Sequence, residues 1–179
     1  MASFGDSDAR VLIVGLAPGL QGANRTGRPF TGDHAGVLLY ATLRDSGFAR
    51  GTYDARADDG LTLTSAMITN AVRCVPPENK PTPAEISTCR RFLSVRIASL
   101  PKLAAIVALG RIAHDSTLTA LGLKKSAYPF AHGAQHAAGP QLTLFDSYHC
   151  SRYNTNTGVL TPEMFQAVFR SVRQHIDRR

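Results

Sequence analysis

The chain has 179 residues, 44% of them hydrophobic and 18% charged, with a formal charge of +7. That is enough chain for one packed domain covering 1–179, and the excess of Lys and Arg suits a polyanionic partner such as nucleic acid. No apolar run approaches the ~20 residues that cross a bilayer, MASFGDSDAR carries no apolar core of a secretory signal, and three cysteines, an odd number, argue for a reducing cytosol.

Met1 to Arg10 is polar and reads as a surface lead-in. Val11 to Val14 is a short apolar run of the kind that makes a strand buried on both faces. It breaks at Gly15 into GLAPGLQGANRTGRPFTGDHAG, a loop with six glycines, two prolines and two arginines. A long Gly-rich loop at the C-terminal end of a buried strand is where open α/β sheets bind ligands. It is no Walker loop, because no Gly-Lys-Ser/Thr follows, and its glycines do not fall as G-x-G-x-x-G. Ala35 to Ser46 then reads as a helix with Val37, Leu38 or Leu39, and Leu43 on its apolar side.

Gly47 to Gly60 is a polar loop, and Thr62 to Val72 holds a second strand that places Asn70 at or near its C-terminal end. Cys74 to Pro81 is a Pro-rich loop. Thr82-Pro83-Ala84-Glu85 starts a helix: Thr82 caps, Pro83 takes the first helical position and Glu85 closes a capping box. Ile86, Cys89, Leu93, Ile97 and Leu100 recur at helical spacing until Pro101. Leu103 to Leu109 is the clearest buried strand, and Gly110 opens a helix to about Leu121. Gly122 to Gly139, with His132 and His136, reads as irregular, and Leu142 to Phe145 as a short strand. A dense polar loop from Asp146 to Gly158 precedes a last helix capped by Thr161-Pro162-Glu163, with Met164, Val168, Val172 and Ile176 facing inward. Strands alternating with helices imply a parallel sheet covered on both faces, with the chemistry-bearing loops along one edge.

Four stretches carry the function: GLAPGLQGANRTGRPFTGD (15–33), ITNAVRC (68–74), VALGRIAH (107–114) and SYHCSRYNTNTG (147–158). In this order they resemble the uracil-DNA glycosylase superfamily, in wording like its type B branch, family 5. The resemblance implies an α/β fold, a single three-layer α/β/α domain with a four-stranded parallel sheet. It also implies a monofunctional glycosylase acting on DNA that contains deaminated bases: uracil, with hypoxanthine or xanthine as further candidates. His149 would stabilise the departing base anion. Phe30 would stack on the flipped base, and Asn70, with both donor and acceptor, would read its edge. Ala17, at the substrate, stands where other branches carry a water-activating carboxylate, and the polar residue of that loop is Asn24. Asp33, the loop's only carboxylate, is a weaker candidate, its bland reading being a salt bridge to Arg25 or Arg28. Ser151, Arg152, Arg28 and Arg73 would hold DNA.

Relatives in families 4 and 5 bind a four-iron, four-sulfur cluster through four cysteines. Cys74 and Cys89 look like the last two ligands. The first two precede the opening strand in the family, and no cysteine precedes Cys74 here. Two of four ligands make an incomplete site, so no cofactor is expected with certainty. The chain is expected to be a monomer, off the membrane, in a bacterial-type cytoplasm with the nucleoid. The rival readings are a weakly catalytic DNA-binding relative, a nucleotide-phosphate binder on the first loop, and a Cys-His hydrolase using Cys150 and His149.

Overall fold

The computed structural model describes residues 1–178. Its sheet is built from β1 (Phe4–Gly5), β2 (Val11–Gly15), β5 (Ala66–Asn70), β6 (Ala105–Leu109), β7 (Gln135–Ala137) and β8 (Thr143–Ser147). A separate ribbon pairs β3 (Ala49–Arg50) with β4 (Thr62–Leu63). The helices are α1 (Ala23–Thr26), α2 (His34–Asp45), α3 (Pro83–Ala98), α4 (Arg111–Ala120), α5 (Arg152–Asn156) and α6 (Pro162–Asp177).

The strand order is β1-β5-β2-β6-β8-β7. The inner four are parallel, as the alternation of strands and helices requires, and β1 and β7 add antiparallel edges. The sheet therefore has six strands rather than four. Both extra strands are too short to show a period of two, so they hid in the polar lead-in and the irregular stretch.

Alternate strand residues serve opposite faces. Val11, Ile13, Ile68, Val107 and Phe145 join the core beneath α2 and α6. Leu12, Val14, Met67, Ile106 and Leu144 join the core beneath α3 and α4. The expected capping box of α3 forms, with the Glu85 amide donating to Thr82 Oγ1 and the Thr82 amide to the Glu85 carboxylate. On α2 the inward side is Ala35, Leu39, Tyr40 and Leu43, while Val37 is exposed, contrary to its expected place on the apolar side. Two short helices inside the functional loops, α1 and α5, have too few residues for a periodicity to be read. Among the described residues no helix is long and apolar enough to cross a membrane.

Candidate active site

The parallel register of β2 and β5 sets Gly15 beside Asn70 at the C-terminal edge of the sheet. A Cβ on Gly15 would lie 2.5 Å from Asn70 Oδ1 and 2.5 Å from Phe30 Cζ. Glycine is needed here for close approach, and its bare backbone lets both side chains in. Phe30 has φ 57°, a left-handed conformation uncommon for a bulky residue and found where a fold holds a side chain to a task. Its flanks are pinned: Tyr40 Oη donates to Pro29 O, and Tyr53 Oη to Phe30 O. Gly36 completes the clamp, because a Cβ there would overlap Phe30 O.

His149 follows β8 by two residues. Its Cβ packs over Gly110, whose φ of 94° demands glycine, and the Gly110 amide donates to Ser147 O at 2.8 Å. Asn154 Nδ2 donates to His149 O at 2.8 Å. The loops after β6 and β8 thus fix the His149 backbone from both sides. Its ring faces Phe30 at 6.0 Å between centroids and 27° between planes. Burial pulls the imidazolium down to about 4, so the ring is neutral at pH 7.

These loops enclose a cavity of about 540 Å³ lined by Ala17, Phe30, Asp33, His149, Ser151 and Arg152, among others. Asn70 stands behind Phe30, 5% exposed, and its buried Oδ1 has no hydrogen-bond partner among the described residues. A buried amide oxygen left unpaired costs about 1–3 kcal/mol unless a ligand satisfies it. Asp33 lies against Gly19 and Gly22, where an added Cβ would collide with its carboxylate. Its Oδ2 accepts the Ala23 amide, and burial raises its carboxyl above the usual range.

The structure thus brings Ala17, Phe30, His149, Ser151 and Arg152 to one rim, with Asn70 buried behind it, against Gly15 beside Phe30, and not itself lining the cavity. Asn24 sits exposed on α1 and does not line the cavity; the carboxylate of the same loop, Asp33, does. The expected pairing of Asp33 with Arg25 or Arg28 does not form. Arg28 is 4% exposed, holds Asp59 through two hydrogen bonds of 2.8 and 2.7 Å, and sits over the rings of Phe4, Tyr40 and Tyr53. It cannot grip a phosphate, and its expected DNA contact is corrected to a buried ion pair. Arg73 is half-buried over Phe92, outside the cavity, with Nε donating to Met1 O at 2.6 Å. His34 and Asn79 also line the cavity without having been singled out. The signal for Asn79 was its loop, which leaves the same sheet edge after β5.

Four thiolates hold a four-iron, four-sulfur cluster. Cys74 is exposed, and Cys89 is buried on α3 with its Sγ accepting the Arg73 amide at 3.5 Å. Cys150 lies in the core, its Sγ donating to Ala35 O at 3.6 Å, and burial pushes its thiol up to about 12. With no exposed surface and its sulfur turned to a core carbonyl, Cys150 reaches neither the cavity nor the other two cysteines, which speaks against the Cys-His hydrolase. The three cysteines of the sequence do not fit a four-thiolate cluster.

An extruded nucleobase asks for a flat wall, a reader for its edge and a donor for the charge it carries away, and an aromatic ring, a buried amide and an imidazole meet at this edge of the sheet. The class is that of the DNA glycosylases. The family model described as the uracil DNA glycosylase superfamily matches residues 2–173, and the chain belongs to that superfamily. It is 48% identical over 171 residues to the type-5 uracil-DNA glycosylase of Thermus thermophilus, covering 96% of this chain and 78% of that protein. It is 42% identical over 174 residues to the type-5 uracil-DNA glycosylase of Mycobacterium bovis, covering 96% of this chain and 65% of that protein. It is 40% identical over 111 residues to the type-4 uracil-DNA glycosylase of Thermotoga maritima, covering 61% of this chain and 49% of that protein. By this membership the chain is a hydrolase of N-glycosyl bonds, and uracil in DNA is the substrate of its family.

Proposed function

We propose that the chain is a monofunctional glycosylase that hydrolyses the bond between uracil and deoxyribose in DNA, with hypoxanthine and xanthine as further substrates. The observation that carries this is the unpartnered Asn70 Oδ1 beside Phe30 at the rim that also holds a neutral His149. Uracil offers N3–H as donor and O4 as acceptor along one edge. Asn70 meets both, accepting through Oδ1 and donating through Nδ2. Cytosine reverses that pattern and leaves the buried amide mismatched, the kind of rejection a hydrogen-bonding site delivers well.

The uracil ring lies against Phe30 after extrusion, at a cost of a few kcal/mol in unstacking and unpairing. As the glycosidic bond lengthens, charge gathers on the base and His149 donates to its oxygen. A donor aimed at developing charge in a dry site contributes about 3–4 kcal/mol. Asp33 takes the task first assigned to Asn24: its carboxylate faces the cavity, where it orients the attacking water and opposes the positive charge on the sugar. No lysine lines the cavity among the described residues, so water rather than an amine attacks. Ser151 and Arg152 hold the phosphates, while the exposed Leu20 and Tyr153, next in the chain to the lining residues Gly19 and Arg152, press on the duplex where the base has left. The enzyme works as a monomer on cytoplasmic, nucleoid DNA.

The test is single-turnover release of free base from oligonucleotides carrying uracil, hypoxanthine or xanthine, with wild type, Asp33→Asn and His149→Ala. Base release by wild type that falls by two orders of magnitude or more in both variants is expected. DNA binding without base release would support the non-catalytic rival instead, and a wild-type rate in Asp33→Asn would remove that residue from the reaction.

A further inference from the structure

On the α3/α4 side of β8, three side chains that base excision does not use converge. His114 from α4, His136 from β7 and Asp146 from β8 each place one ligand atom within 4.8 Å of the others. His114 and Asp146 side chains are 1% and 0% exposed, and His136 is 13% exposed, which leaves a way in. The Asp146 carboxylate lies between the rings, Oδ1 at 2.7 Å from His114 Nδ1 and Oδ2 at 3.1 Å from His136 Nε2. The other nitrogen of His114, Nε2, is 2.9 Å from Tyr128 O.

A carbonyl oxygen only accepts, so Nε2 of His114 carries hydrogen and donates to it. In a neutral imidazole this leaves a lone pair on Nδ1, directed at a carboxylate oxygen. Two acceptors so close need a cation at the contact. A proton is one solution. A divalent metal is the other, and a histidine bound through one nitrogen with the opposite N–H on a backbone carbonyl is how proteins fix metal-binding imidazoles.

We propose that His114, His136 and Asp146 form a site for a divalent transition ion of the zinc type, two imidazoles and one carboxylate with water in the fourth position. Borderline-soft Zn2+ takes this donor set at bond lengths of about 2.0–2.2 Å. Tetrahedral ligand atoms then stand roughly 3.3 Å apart, and the three ligand atoms, within 4.8 Å of one another, reach that spacing by side-chain shifts of about an ångström. The ion would tie α4, β7 and β8 together three residues before His149. The site uses none of the cysteines and does not depend on the base-excision reading.

The test strips the full chain with a chelator and titrates it with Zn2+ and, separately, Co2+. The readouts are metal per chain, the visible band of tetrahedral Co2+, and Tm. One equivalent should bind, the cobalt band should appear, and Tm should rise on the order of 5 °C at a hundredfold excess over Kd. His136→Gln, the most exposed ligand and the least costly to fold without, should keep the metal-free Tm within a few degrees and lose both the band and the gain. Absence of stoichiometric binding would overturn the site and leave a buried imidazolium–carboxylate pair. Equal binding by wild type and His136→Gln would overturn it too, placing the ion elsewhere.

Discussion

Gly15→Ala tests whether the contact of β2, Phe30 and Asn70 sets the rate. The added methyl would stand 2.5 Å from Phe30 Cζ and 2.5 Å from Asn70 Oδ1, about 0.9 Å short of ordinary contact on two sides. The strand cannot yield, because Gly15 is held in register with Asn70 and its neighbours pair with β6. The side chains must yield, and they are the proposed wall and edge reader. A displacement near 1 Å costs on the order of 100-fold in rate, or about 2.7 kcal/mol of barrier. The crowding itself costs about 1–3 kcal/mol of stability, so the protein stays folded. Gly139→Ala is the control: its Cβ would meet only Leu142 Cβ, at 3.5 Å. Single-turnover uracil release, with Tm measured alongside, should separate the two. A Gly15→Ala enzyme that is folded and releases uracil within twofold of wild type would refute the reasoning, since both side chains would have moved without consequence.

His149→Ala should fold normally and lose about 100- to 1,000-fold in single-turnover rate, the measured scale for one donor to developing charge. The same residue predicts a pH dependence of stability. Its imidazole titrates near 6.5 unfolded and about 4 folded, so unfolding takes up a proton between those values. The stability it contributes is whole above pH 6.5 and falls through pH 4, by about 3 kcal/mol at most; urea melts should show His149→Gln lacking that component. Arg28→Ala should lower stability by about 3 kcal/mol, because Asp59, held well below the usual carboxylate range by this partner, loses its counter-charge while buried and keeps only the Asp54 and Leu61 amides. Its DNA affinity should keep the wild-type salt dependence, whereas Arg152→Ala should reduce the slope of log K against log salt by about one.

The strands Val11–Val14 and 103–109 were legible because each is an apolar run bounded by turn residues, whereas the single stretch expected to hold a strand, 62–72, divides into Thr62–Leu63 of the separate ribbon and Ala66–Asn70 of the sheet. The capping box of α3 was legible because its parts are adjacent in the chain. Candidate site residues came from long motifs whose order left little to chance. Arg28 shows the limit: its motif is conspicuous, yet its partner Asp59 is thirty-one positions away, and local sequence carries no sign of that pairing. Asn24 and Asp33 show another, since both are polar residues of one Gly-rich loop. Only the path of that loop, folded back so that Asp33 reaches the Ala23 amide, turns one outward and the other toward the cavity.

The sequence by itself determined the alternation of strands and helices, the parallel heart of the sheet, the basic surface and the membership of a base-excising family, all properties of local pattern and composition. The tertiary structure decided which polar groups are buried and with whom. Burial and pairing depend on residues far apart in the chain: Gly15 opens room for Phe30 and Asn70, Gly110 seats His149, and α4, β7 and β8 bring His114, His136 and Asp146 into one cluster. The energies of such groups are set by desolvation and distance, which no stretch of sequence contains.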